Sequence, residues 1–132
     1  MKNISFAFIT VVALVAGCGG GGDSGGSDYT YYVPPSYGTI AVNMTTKYAY
    51  ISYNYDSGSG ASDSALKSCG AGCVPVLYFG SRQCGALARG SNGSFGWASD
   101  KKEANAQNTA ISQCTANSGL NCVSVLSACN GS

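Results

Sequence analysis

Seven cysteines, at positions 18, 69, 73, 84, 114, 122 and 129, carry most of the chemistry open to this 132-residue chain. A thiol can act as a nucleophile, bind a soft metal, accept a lipid or pair with a second thiol. The chain has no histidine, which excludes Cys-His and Ser-His-Asp nucleophile arrangements, histidine general bases and histidine metal ligands together. From Cys69 to Cys129 the spacings are x3, x10, x29, x7 and x6. They match neither the Cys-x2-Cys knuckles of zinc ribbons nor a Cys-x-x-Cys redox pair. Neither a metal nor a cofactor is expected.

The remaining reactive groups are few. Asp56, Asp63, Asp100 and Glu103 are the carboxylates of the body of the chain, and each stands beside a turn or a helix start where capping accounts for it. A carboxylate-dependent cell-wall enzyme would have to use Asp56 or Asp63, and the chain is expected to be non-catalytic. Arg82 and Arg89, which flank one strand, read as solvated charges. The chain carries seven Lys and Arg against six Asp and Glu, with no basic run, so a nucleic-acid partner is not expected.

Cys18 stands apart from the other six. Lys2, the apolar run Ile4 to Val15 and the small residues Ala16 and Gly17 form a charged head, an apolar middle and a small-residue exit, the pattern of a secretion signal. The run is shorter than the roughly 20 apolar residues that a membrane-spanning helix needs. Leu14-Val15-Ala16-Gly17-Cys18 also resembles the bacterial lipobox, in which cleavage before the cysteine is coupled to lipidation of its sulfur. Residues 1–17 are thus expected to be a lipoprotein signal peptide, with Cys18 attached to the membrane through lipid. Gly19 after Cys18, where an aspartate is absent, resembles the pattern that sends such proteins to the outer membrane. An ordinary cleaved signal with an incidental cysteine is the alternative. Residues 18–36 follow as a tether, first of Gly and Ser, then of Tyr with Pro34-Pro35. Fully stretched, it would reach about 60 Å.

Residues 37–132 must then supply the single folded domain, for which the length leaves room for one modest core. Two stretches of it run in parallel order. Gly38-Thr39-Ile40-Ala41-Val42, an aromatic strand from Tyr48 to Tyr55, a helix around Ala61 to Ser68 and Cys73-Val74-Pro75-Val76-Leu77 make the first. Gly85-Ala86-Leu87-Ala88-Arg89, an aromatic strand from Ser94 to Ser99, a helix through Ala110 to Cys114 and Cys122-Val123-Ser124-Val125-Leu126 make the second. This order implies an α+β domain of two pseudo-symmetric strand-strand-helix-strand repeats, about 37–83 and 84–129. Asn92-Gly93 predicts a two-residue type I′ hairpin turn. Ser59 or Ser62 is expected to cap the first helix. Asp100 with Glu103 is expected to form a capping box for the second, which would turn Ala104, Gln107, Ile111 and Cys114 inward. Pro75 assigns its strand to a sheet edge, or itself to the first residues of the strand.

Six cysteines in a small exported domain read as disulfides, for which fifteen pairings exist. The duplication favours one of them: Cys69 with Cys73 and Cys114 with Cys122, each tying a helix to the next strand, and Cys84 with Cys129. Each bridge would contribute roughly 2–4 kcal/mol.

Alternation places Tyr48 and Tyr50 on one strand face, and Phe95 and Trp97 on the matching face of the second repeat. These four would form a ladder, either as the core beneath the helices or as an exposed face for a partner.

Several of these elements together resemble a bacterial family known as domain of unknown function 4189 (DUF4189). They are Tyr37-Gly38-x-Ile40-Ala41-Val42, Ala65-Leu66-x-x-Cys69, Cys84-Gly85-Ala86-Leu87-Ala88-x-Gly90, Gly96-Trp97-Ala98 and the Cys122 to Cys129 closure. The resemblance implies a small exported domain, often lipid-anchored, and brings no agreed catalytic residue. The resulting expectation is an envelope lipoprotein that binds a protein partner without catalysis, such as an immunity protein that inhibits an exported toxin. An accessory component of a secretion or envelope complex and a plain structural lipoprotein are the alternatives.

Overall fold

The computed structural model describes residues 32–131. The expected signal segment 1–17, the expected lipid site Cys18 and most of the expected tether lie outside the described residues. The order is β1 (Tyr37–Val42), β2 (Ala49–Tyr55), α1 (Gly58–Cys69), β3 (Val74–Phe79), β4 (Cys84–Arg89), β5 (Phe95–Asp100), α2 (Glu103–Ala116) and β6 (Val123–Cys129). Each repeat makes one antiparallel three-stranded sheet, in the orders β2-β1-β3 and β5-β4-β6. The fold is therefore α+β, built from two similar strand-strand-helix-strand units.

The apolar clusters show how the layers stack. Ile40 and Val42 of β1, Leu87 of β4, Phe79 and Phe95 are buried together with Ile51, Trp97 and Leu126, so the two sheets pack face to face. On the outer side of the first sheet, Ala41 meets Ala65 and Cys69 of α1. On the outer side of the second, Ala86, Ala88 and Ala98 meet Ala106, Ala110 and Cys114 of α2. The central strands β1 and β4 are thus covered on both faces, which is why they read as nearly continuous apolar runs. Large side chains point between the sheets and alanine-sized ones point to the helices.

The division by size brings each helix close to its sheet. A Cβ on Gly96 would stand 2.2 Å from the Ala110 carbonyl oxygen and 2.2 Å from the Cys114 nitrogen. The same closeness decides which face of α2 turns inward. Ala106, Ala110 and Cys114 are buried and Ile111 packs against them, so Ile111 and Cys114 turn inward as the spacing predicts, whereas Ala104 is exposed and Gln107 half-buried. Gln107 instead donates to the Ser127 hydroxyl at 2.8 Å.

The helix starts also differ from expectation. α1 begins at Gly58 and is capped by Ser57, whose hydroxyl accepts from the Gly60 N–H at 3.0 Å, so neither Ser59 nor Ser62 is the cap. The capping box of α2 does not form. Asp100 is held as the last residue of β5 by its pairing with Cys84, and Lys102 takes the N-cap position without a side-chain bond. Asp100 accepts from the Lys102 N–H at 2.9 Å, and Glu103 accepts from the Ser127 hydroxyl at 2.5 Å.

The β4–β5 hairpin is wider than the two-residue turn predicted for Asn92-Gly93. Gly90 N–H bonds to Ser94 C=O at 2.8 Å and Gly93 N–H to Gly90 C=O at 2.9 Å, with Gly93 at φ 86°. This is a turn followed by one left-handed residue, the common three-residue hairpin loop. Asn92 leaves the turn with its side chain, donating to Ser118 C=O at 2.9 Å and accepting from Leu120 N–H at 3.2 Å. Asn43 does the equivalent in the first repeat, accepting from the Thr45 and Thr46 N–H groups and donating to Ala71 C=O. Each repeat therefore ties its hairpin turn to the loop after its own helix.

The three disulfides join Cys69 to Cys73, Cys84 to Cys129 and Cys114 to Cys122, the pairing that the duplication favours. Pro75 lies on β3, an edge strand. At the other end of the strands the chain enters beside where it finishes. The Ser36 N–H donates to Ser81 Oγ at 2.8 Å, and the Arg82 N–H donates to Gly131 C=O at 2.9 Å. Ser36, which the sequence assigns to the tether, is thus held by the fold. Asn130, 5% exposed, donates to Phe79 C=O at 3.0 Å and Gly80 C=O at 2.8 Å while accepting from Asn54 N–H at 2.8 Å.

Beneath α1, the buried Thr39 hydroxyl has no hydrogen-bond partner among the described residues. A buried hydroxyl without a partner costs free energy that an isosteric methyl does not. Thr39→Val is expected to raise the unfolding free energy by about 1 kcal/mol. Guanidinium unfolding of the oxidised protein checks this, and a lowered midpoint would contradict it.

Candidate functional site

The four aromatics of the expected ladder do not share a face. β1 pairs Ala41 with Tyr50 and Ile40 with Ile51, whereas β4 pairs Ala88 with Gly96 and Leu87 with Trp97. Gly96 is therefore the counterpart of Tyr50, and Trp97 the counterpart of Ile51. The offset of one residue reverses the face, since strand side chains alternate. Phe95, 5% exposed, and the half-buried Trp97 pack between the sheets, and neither lies on an exposed partner face or beneath a helix. Tyr48 and Tyr50 are exposed.

What gathers at the surface instead is a row of tyrosines on β2, an edge strand, and on Tyr48 just before it. Tyr48 is 57% and Tyr53 47% exposed, and Tyr50 and Tyr55 are exposed as well. Tyr50, Tyr53 and Tyr55 line a shallow groove of about 170 Å³ together with Ser52 and Ser64 of α1. The Tyr55 hydroxyl bonds to Ser64 Oγ at 2.6 Å, which fixes one ring against the helix. A bulge opposite β1, with Asn54 at φ 63°, separates Tyr53 from Tyr55. The alternation of tyrosine with small residues signalled the strand. The bulge, which sets where Tyr53 and Tyr55 point, depends on Asn130, 76 residues away from Asn54.

The second concave region lies where the two hairpin turns meet. A cleft of about 400 Å³ is lined by Thr46, Lys47, Tyr48, Ala49, Arg89, Val125 and Leu126. Arg89 is half-buried and its Nη1 donates to Lys47 C=O at 2.8 Å, so it is not the solvated charge that its sequence position suggests. Lys47, at φ 68°, holds its Nζ 5.7 Å from the centre of the Phe95 ring. Arg82 is exposed at the opposite end of β4.

The four described carboxylates are spread over the surface. Asp56 and Asp63 are exposed, Asp100 bonds to the backbone at the start of α2, and Glu103 bonds to Ser127. No group of three or more His, Cys, Asp or Glu residues that could hold a metal is found among the described residues.

Three disulfides in so small a domain suggest an oxidising, extracytoplasmic location. No helix among the described residues is long and apolar enough to cross a membrane. No curated protein and no solved structure matches the chain. A family model described as Domain of unknown function (DUF4189) matches residues 37–129, from the first residue of β1 to the last of β6, and the chain belongs to that family.

Proposed function

We propose that this protein is a non-catalytic, protein-binding module of the bacterial envelope, anchored by lipid on Cys18 and held off its membrane, the outer one, by the tether that runs from Cys18 to the folded body. The observation that carries the reading is the tyrosine groove on β2. Tyrosine gives rigid contact area with a polar tip, at small entropic cost, and is enriched where proteins bind each other. An edge strand adds unpaired backbone groups to which an extended partner segment can bond. Binding that occludes the active site of an exported toxin would make the protein an immunity factor. Binding to a fixed envelope component would make it an accessory subunit.

A photo-crosslinking residue at position 53, in the lipidated protein in its own envelope, is expected to capture one discrete partner at one-to-one stoichiometry. The same residue at position 109, on the exposed side of α2, is expected to capture none. Tyr50→Ala with Tyr55→Ala should abolish the product at position 53 while leaving the unfolding free energy within about 1 kcal/mol of the parent. Equal capture at both positions would refute a tyrosine-based site. Loss of the partner's hydrolytic activity on binding separates the inhibitor from the accessory subunit. Asp56→Asn and Asp63→Asn are expected to change neither binding nor any turnover of cell-wall material.

A further inference from the structure

We propose that the cleft between the β1–β2 turn and β6 is a binding site for a small organic oxyanion, a carboxylate or phosphate head on an aromatic or short aliphatic body. Arg89 and Lys47 hold the head, and Ala49, Val125 and Leu126 cover the body.

The volume of about 400 Å³ falls within the range of small-molecule sites and leaves space for one aromatic ring and its charged substituent. Two of the seven lining residues are cations and none is an acid. The Arg89 side chain has a single hydrogen bond among the described residues, from Nη1 to Lys47 C=O. That bond fixes the planar fork, and the donors left over suit a carboxylate or phosphate, which a guanidinium binds through two parallel bonds. A half-buried cation without an acid partner is costly, and an incoming anion removes that cost.

The acids at the strand ends stand away from the cleft, at the end that also holds Arg82, Lys101 and Lys102. β1, β2, β4 and β5 run between two ends of the sandwich, and Lys47 and Arg89 stand at the end where the hairpin turns meet. Asp56 follows the far end of β2, Asp100 ends β5 and Glu103 follows it, a strand length of about 17 Å away. At that separation the acids are screened from the cleft at physiological salt. The two cations are also brought together by the duplication itself, because Lys47 belongs to the turn of one repeat and Arg89 to the strand before the turn of the other. The Lys47 side chain passes over Gly93, where a Cβ would stand 3.0 Å from Lys47 Cε. Gly93 is also required by its left-handed φ of 86°, and the Lys47 ammonium rests over the Phe95 ring beside the neighbouring pocket, from which it turns to meet an anion on Arg89.

Titration of the oxidised protein with benzoate, phenyl phosphate and uncharged benzamide, followed by amide chemical shifts, tests the site. Benzoate or phenyl phosphate is expected to shift Ala49, Val125 and Leu126 saturably below about 10 mM, and benzamide at least tenfold more weakly. Whichever anion binds more tightly identifies the head group. Lys47→Gln keeps the backbone carbonyl that Arg89 binds, and is expected to weaken the anion about tenfold without changing the fold. Arg89→Gln should weaken it further, and the Lys47 variant decides the matter if Arg89→Gln fails to fold. Equal affinity for benzamide, an unaltered affinity in Lys47→Gln, or shifts confined to other residues would overturn the proposal.

Discussion

Gly96→Ala is expected to lower the unfolding free energy by about 3 kcal/mol or more, which is a large share of the 5–15 kcal/mol typical of such domains. The single methyl would occupy space already filled by main chain, 2.2 Å from both the Ala110 carbonyl oxygen and the Cys114 nitrogen. Neither atom can turn aside as a flexible side-chain end would, so α2 must lift from β5. Lifting it would expose Ala106, Ala110 and Ala98 and strain the Cys114–Cys122 bridge that follows the helix. Gly58→Ala is the matched control. Its Cβ would meet only a Tyr37 ring carbon at 4.0 Å, at the first residue of α1. That variant is expected to be neutral or slightly stabilising, because alanine loses less freedom than glycine in a helix. Guanidinium unfolding under oxidising conditions compares the two, and similar midpoints would contradict the close contact of α2 with its sheet.

Phe79→Ala is expected to cost about 3–5 kcal/mol, the range for removing a buried phenyl ring. Phe79 is 3% exposed and lies at the end of the core between the sheets, with Gly38 and Gly85 on either side. A Cβ on Gly38 would stand 2.3 Å from the ring and one on Gly85 2.6 Å, so both glycines make room for this one side chain. The two glycines hold matching positions in the two repeats, and the phenylalanine fills the space they share. A double-mutant cycle measures this directly. Gly38→Ala alone should destabilise by about 1–3 kcal/mol, but by close to nothing in the Phe79→Ala background, where the ring is gone. Additive effects would show that Gly38 is needed for its backbone and not for the ring.

The repeat, the order of the elements and the three bridges were legible in the sequence because they rest on local spacing and on matching the two halves. The two sheets packing on each other were not. Phe95 and Trp97 read as core beneath a helix or as a partner face, and nothing local says that an apolar side chain meets a second sheet instead. The aromatic ladder failed for a related reason. Matching Tyr50 with Trp97 by appearance overlooks pairing register, and one residue of offset sends the rings to opposite faces. The tyrosine groove was half legible: Tyr48 and Tyr50 were singled out, but Tyr53 and Tyr55 depend on a bulge held by Asn130. The environment of Arg89 was hidden because its partner, Lys47 C=O, lies 42 residues earlier. The expected capping box of α2 had the right residue types, but strand pairing of Asp100 overrode the local preference.

The bonds of Ser36 and Arg82 to the residues that close the fold have a practical corollary. Both termini of the folded body are moored at one pole, and each central strand runs from there to the pole that bears Lys47 and Arg89. A fluorophore, an affinity handle or a solid support attached through either terminus therefore joins the body on the side remote from the cationic cleft. Immobilised molecules would present that cleft outward, whichever terminus is grafted.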